Sequence, residues 1–291
     1  MKQDINDIKN SDKVLLGADK TTNFYKIKPE AYEKLLTENI TKEYKKAKPD
    51  TIQNLDKEDK IIADKLEIAN RMYKLTKREA HITIKDHKED FRNNPKCRLI
   101  NPTKSEIGKV SRQLLRAKIE VIKNITKLDS LKDSNCAKKW YTDLRQKHNL
   151  TFIQWDSINF YPSITRELLE KSIEWAKQYV DFSQEDIEFI MQARKAVLIH
   201  NNKPWTKKTG DSFDVTVGSD DGAEVCELVG LYILSLLVHL TYGKAALYRD
   251  DGAMAVRGSP RQTETKTKEV ASIMKSTGIG ITIAGNPRPY F

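Results

Sequence analysis

Two stretches of the sequence end an apolar run on acid. Phe152-Ile153-Gln154-Trp155 leads to Asp156, and Ala246-Leu247-Tyr248-Arg249 leads to Asp250-Asp251. If the two runs are neighbouring strands, Asp156, Asp250 and Asp251 converge. Three clustered carboxylates repel one another and call for divalent cations. Hard cations such as Mg²⁺ or Mn²⁺ take oxygen ligands and leave positions for water and phosphate. Two such ions about 4 Å apart activate an attacking oxygen and stabilise a leaving one. Each segment alone also has a plainer reading: Asp250-Asp251-Gly252 is an ordinary hairpin turn, and Asp156 a strand-end cap.

The elements that must position these acids follow from periodicity. Residues 29–46 and 54–79 carry apolar residues at helical spacing, among them Ile61, Ile62, Leu66, Ile68, Ala69, Met72 and Leu75. Ala80–Ile84 and Lys96–Ile100 read as a β-hairpin around a polar, basic tip. Helices are expected over 109–126 and roughly 137–148. From 150 onward the pattern becomes a strand ending at Asp156, a helix N-capped by Thr165 and running to Val180, and a second helix opened by Ser183 with Asp186 three residues on. A hairpin follows over 196–207, then an apolar helix over 223–240. Strands 245–249 and 253–257 are expected to turn at Asp250-Asp251-Gly252, followed by a helix over 260–276 and a strand over 278–283. The order gives an α+β layer, a sheet containing antiparallel strands with helices on one face.

Composition bounds the partners. The 291 residues carry 51 Lys plus Arg against 41 Asp plus Glu, a net charge of +10, which suits a polyanion. Cys97, Cys136 and Cys226 are far apart, without the spacing of a zinc finger or a disulfide scaffold. Reduced thiols and a polar N-terminus point to an intracellular protein, nucleus or cytoplasm left open. The run Leu228–Leu240 contains Ser235 and His239 and is too short for a membrane span, so no membrane is expected.

The acids sit within a larger pattern. Tyr248-Arg249-Asp250-Asp251 resembles the YxDD box of reverse transcriptases. Asp156-Ser157-Ile158-Asn159-Phe160-Tyr161 resembles their first catalytic motif, an Asp followed five residues later by an aromatic. Gly218-Ser219 before the apolar helix resembles the Gly-Ser of their second palm motif. All three occur in the family's order, and the run Ile84-Lys85-Asp86-His87-Lys88 followed by Arg98 looks most like Penelope-type retroelements. The resemblance covers roughly residues 80–286. It implies a right-hand polymerase of fingers and palm, with 1–80 a helical extension and part of the fingers, 81–149 fingers bearing the basic hairpin, and 150–291 the palm.

The resemblance also implies roles. Asp156, Asp250 and Asp251, with the Ser157 backbone, would hold two Mg²⁺ or Mn²⁺ ions. Lys85 and Arg98 would clamp the triphosphate of a deoxynucleotide, and Ser157, Ile158, Gly218 and Ser219 would line its site. Tyr161 would exclude a ribose 2′-hydroxyl. Lys88 and Arg92 at the hairpin tip, with Phe213 and Tyr248, would meet an RNA template and a DNA or RNA primer.

Three departures stand beside this. Asp220 and Asp221 follow Gly218-Ser219 where the family usually has Pro, and Val217 stands where many members carry Gln. Asn159 interrupts the first motif. The sequence closes at Asn286-Pro287-Arg288-Pro289-Tyr290-Phe291 where the family continues into a thumb, so an absent thumb, a missing C-terminal segment or a thumb-bearing partner is expected. The expected activity is RNA-directed DNA synthesis. A catalytically silent nucleic-acid binder is the alternative, and a metal-dependent nuclease the third reading.

Overall fold

The computed structural model describes residues 12–72, 78–209, 212–241 and 244–284. In chain order the first elements are β1 (Val14–Gly17), β2 (Phe24–Ile27), α1 (Pro29–Glu43), β3 (Tyr44–Lys46), α2 (Thr51–Lys65), β4 (His81–Ile84), β5 (Cys97–Ile100) and α3 (Glu106–Thr126). Next come β6 (Asp129–Ser130), α4 (Ser134–Asp143), β7 (Leu150–Ser157), α5 (Phe160–Ser163), α6 (Arg166–Ala176), α7 (Gln184–Ala193), β8 (Leu198–His200) and β9 (Lys203–Lys207). The chain then forms α8 (Gly222–Thr241), β10 (Ala245–Tyr248), β11 (Asp251–Arg257), α9 (Pro260–Ser276) and β12 (Ile281–Ile283).

These elements form two compact units. The first holds residues 1–105 and 195–219, the second residues 106–194 and 220–291. Residues 195–219 thus return to the first unit, an excursion that a linear division of the chain does not represent.

The first unit is built on small sheets. β1 pairs with β2, β4 with β5, and β9 joins β3 to β8. Leu16, Leu36, Ile40, Ile82, Ile84 and Leu198 pack into one core across these sheets and α1. The segment before residue 80 therefore contains strands as well as the expected helices. The helix expected over 54–79 ends at Lys65, followed by a 3₁₀ turn at Ala69–Arg71. At that end Glu67 adopts a left-handed φ of 55°, which stops the α-helical repeat. The 73–77 part of that expected helix, with Leu75, lies outside the described residues.

The second unit carries a five-stranded sheet in the order β12-β7-β11-β10-β6, antiparallel except for the β10–β6 pair. α3 buries Ile107, Leu115, Ile119 and Ile122 along one stripe, the three- and four-residue spacing of an amphipathic helix. α8 is apolar on nearly every side and buries Val225, Leu228, Val229, Leu231, Ile233, Leu234 and Leu237. It is longer than the run 228–240, and by length and composition is long and apolar enough to cross a membrane. It packs instead against α3, α6 and β10. Each such side chain contributes about 1.5–3 kcal/mol on burial. The caps fall where sequence places them. Thr165 accepts from the Leu168 N–H at 3.2 Å, and Ser183 with Asp186 closes a capping box. α6 ends at Ala176, short of Val180.

Candidate active site

β7 alternates between core and solvent toward its end. Ile153, Trp155 and Ser157 are buried, and Gln154 and Asp156 are exposed. β11 pairs with β7 in a register that sets Asp251 directly across from Asp156, so their side chains share one face of the sheet. β10 and β11 close with Tyr248 opposite Asp251, leaving Arg249 and Asp250 as a two-residue loop. The Asp250 carbonyl accepts the Ser157 N–H at 2.8 Å. The two acidic segments are thus neighbours through β11, although the apolar runs before them, β7 and β10, lie on either side of that strand.

The turn differs from the expected one. Arg249, not the Asp-Gly pair, bends the chain, at a left-handed φ of 55°. Gly252 lies within β11 because a β-carbon there would sit 2.0 Å from the Trp155 indole on β7. The glycine serves a ring laid against the neighbouring strand rather than a turn. A non-glycine residue held at positive φ costs of order 1–3 kcal/mol and persists only where its surroundings hold it.

Behind the acids, Asn159 also adopts a left-handed φ, 49°, at the start of α5. Asn is among the few residues that tolerate this conformation, which accounts for its presence in the motif. α5 carries Tyr161, whose hydroxyl hydrogen-bonds the buried Cys226 thiol of α8. Burial pushes the Tyr161 phenol up to about 12, with a smaller contribution from the charge of Asp250, so the ring stays neutral at ordinary pH. Ile158, half exposed, places its N–H on the Gly280 carbonyl at 2.8 Å.

The basic hairpin belongs to the first unit. β4 and β5 pair as expected, with Arg98 opposite Thr83 and the Lys85 N–H on the Lys96 carbonyl at 2.8 Å. Lys85 is half-buried, and burial, then the nearby Arg98, lowers its ammonium from the usual range. Beside Arg98 stands a residue that sequence reading missed. Asp19 is 3.2 Å from the Arg98 Nε, with its side chain only 8% exposed. A lone Asp between Ala18 and Lys20 carries no sequence signal of that role.

The Gly218-Ser219 turn also lies in the first unit. Gly218 has φ 114°, and a β-carbon there would meet the Asn101 carbonyl at 2.9 Å. The Asn101 N–H in turn rests on the Val217 carbonyl at 3.2 Å. The acids that follow belong to the second unit and turn inward. Asp221 is fully buried, paired with the equally buried Arg194, and accepts the Ser111 hydroxyl at 2.6 Å. Glu224 takes Arg116 at 2.6 Å, and Glu227 takes Lys123 at 2.8 Å. Asp221, just before α8, and Glu224 and Glu227 within it therefore meet Ser111, Arg116 and Lys123 of α3 in the same order along the chain. These pairs lie within the second unit.

The remaining residues divide by exposure. Lys88 and Arg92 are exposed at the hairpin tip, Arg92 over the Phe91 ring. Tyr248 is exposed beneath the Arg249 guanidinium. Phe213 is buried, 6% exposed, so it offers no open face to a base and is corrected to a packing residue of the first unit. Trp140 packs on Phe152, and Trp205 on His200. Arg288 lies outside the described residues.

The carboxylates supply oxygen donors only, the chemistry that magnesium and manganese prefer. Asp156 and Asp251 are exposed, Asp250 is half-buried, and the neighbouring Ser157 hydroxyl is buried without a hydrogen-bond partner. Among the described residues no group of three His, Cys, Asp or Glu side chains is arranged to hold a metal ion. What is assembled is a cross-strand acid pair with a third acid in the adjoining turn. Like charges directly opposite across strands destabilise a sheet, and a bound cation relieves that repulsion.

No family model and no curated protein matches the sequence. Solved structures do match the fold. Apo telomerase from Candida tropicalis superposes with a TM-score of 0.67 at 11% identity, over 97% of this chain and 54% of that one. The same telomerase truncated from its C-terminal domain gives 0.60 at 12%, over 95% and 60%. Telomerase from Candida albicans in complex with a fragment of telomeric RNA gives 0.61 at 10%, over 94% and 50%. The chain thus spans between half and three fifths of these structures, and its fold is a reverse-transcriptase-like polymerase fold.

Proposed function

We propose that this chain is the core of an RNA-directed DNA polymerase, a two-metal nucleotidyltransferase of the kind found in retroelements and nearest to Penelope-type enzymes. One observation carries the reading: β7 and β11 set Asp156 opposite Asp251, with Asp250 in the adjoining turn, in a fold shared with telomerase. The complex of a similar telomerase with RNA supports a nucleic-acid partner. Activity, substrates and partners of the longer proteins are carried over as part of this proposal.

Asp156 and Asp250, with Asp251 and the Ser157 backbone, would hold two magnesium or manganese ions. Bound there, the ions would lower the charge repulsion around the reacting phosphate and stabilise the attacking and leaving oxygens. The residues of the chain do the rest. Lys85 and Arg98 hold the triphosphate of the incoming deoxynucleotide, Arg98 able to pair bidentately and Lys85 as a point charge. The Tyr161 ring, fixed through Cys226, fills the space a ribose 2′-hydroxyl would need. Lys88 and Arg92 meet template phosphates. The primer 3′-hydroxyl attacks the α-phosphate in line, and pyrophosphate leaves.

The test is extension of a labelled DNA primer by one nucleotide on an RNA template. Magnesium, high protein and low salt are needed, since the electrostatic part of binding fades with salt. Extension by the wild type and none by Asp250→Ala/Asp251→Ala is expected. No extension by either, with both still binding the template, overturns the reading and leaves a silent nucleic-acid binder. A shortened strand marks a nuclease.

A further inference from the structure

Asp19 is held in place from both sides of Lys85. Its N–H donates to the Ile84 carbonyl at 2.9 Å, and Ala18 bridges to Ile84. Just downstream, Thr21 Oγ1, Asn23 Nδ2 and Tyr25 Oη all donate to Asp86 Oδ2, at 2.6, 3.0 and 2.9 Å. The segment 18–25 is thus strapped to Ile84 and Asp86, the two chain neighbours of Lys85. The strap presents the Asp19 carboxylate to the Arg98 Nε at 3.2 Å.

This ion pair is an incomplete one. Only Oδ1 meets Arg98, while Oδ2 is buried without a hydrogen-bond partner. A buried carboxylate oxygen without a partner is costly, and a monodentate contact gives up half of what the guanidinium fork offers an anion. Arg98 remains 36% exposed and within reach of solvent. A triphosphate brings several oxygens and a larger charge to the same guanidinium.

We infer that Asp19 is a built-in counter-ion of the Lys85/Arg98 pair, which an entering triphosphate displaces from Arg98, so that Asp19 sets the affinity of this site for polyphosphate. The inference rests on the reading that this pair takes a triphosphate. Two effects act in one direction when the charge is removed: the competitor for Arg98 is lost, and the local positive potential rises. Asp19 opposes the fall in the Lys85 ammonium, in keeping with a carboxylate that serves both cations.

The experiment is calorimetric binding of inorganic tripolyphosphate to the full chain at low salt. Wild type, Asp19→Asn, Asp19→Ala and Arg98→Ala are compared, each checked for unchanged thermal unfolding. Both Asp19 variants are expected to bind about three- to tenfold more tightly than wild type, the effect of one charge at close range where water screens it nearly as in bulk. Arg98→Ala is expected to bind at least fivefold more weakly. Arg98→Ala weakened but both folded Asp19 variants unchanged or weaker overturns the counter-ion and leaves the clamp standing. Arg98→Ala equal to wild type overturns the clamp and the counter-ion with it. Either folded Asp19 variant suffices to decide.

Discussion

The tripeptide Asp-Asp-Gly occurs twice in the second unit, with opposite outcomes. In Asp220-Asp221-Gly222 the second acid is fully buried, held by Arg194 and Ser111 at the start of an apolar helix. In Asp250-Asp251-Gly252 the first acid lies in a hairpin loop and the second at the exposed end of a strand, across from Asp156. The partners supplied by neighbouring elements separate the two copies, not the tripeptide itself. α3 and the end of α7 bring Ser111 and Arg194 to the first copy. β7 brings another acid to the second. One acid lies in the interior against an opposite charge, and the other lies at the surface across from a like charge.

Exchanging the two copies' phenotypes would break this comparison. Asp250→Ala should reduce single-nucleotide extension by about a thousandfold or more, roughly 4 kcal/mol of transition-state stabilisation, with thermal unfolding unchanged. Asp221→Ala should instead destabilise the fold by about 3–5 kcal/mol, because it strands the buried Arg194 charge. Denaturant unfolding measures it, and Asp221→Leu/Arg194→Met together should recover most of the loss. Loss of extension by a fully stable Asp221→Ala protein would show that both copies act in the reaction.

The glycine of the second copy sharpens the comparison. Gly252→Ala must displace the Trp155 indole, and a stability loss of about 1–3 kcal/mol is expected from overpacking, with a shift in Trp155 fluorescence. A neutral result would mean that the ring moves aside freely and that the strand does not depend on that contact. The smallest effect belongs to the outer rung of the α3–α8 ladder. Glu227 is partly exposed, and Glu227→Gln should cost about 0.2–1 kcal/mol in denaturant unfolding.

Much of this was legible in the residues. The 80–100 hairpin, the α9 span 260–276 and the Thr165 and Ser183 caps all depend on local signals: period, turn residues and side chains that bond their own backbone, whereas the meeting of Asp156 with Asp251 was only a condition that the sheet order had to supply. What escaped depends on distant partners. The Asp-Gly pair at 251–252 looked like the turn, because no local rule shows that Trp155, about a hundred residues earlier, needs the glycine. Asp19 and Arg194 gave no signal because their meaning lies in Arg98 and Asp221. Asn159 became intelligible only once its backbone angle was known.

The excursion of residues 195–219 has a consequence for the timing of folding on the ribosome. β3 pairs with β9, joining Tyr44 to Lys207, and Asn101 rests on Val217. The first unit therefore cannot close until residue 217 has emerged, after the whole 106–194 segment of the second. Pairing across such a separation is slow, and nascent chains with open strands are prone to associate. β3 reads Tyr-Lys-Lys, with both lysines exposed. A strand that waits for its partner through more than 150 residues of synthesis carries on its open edge the charge that discourages a wrong one.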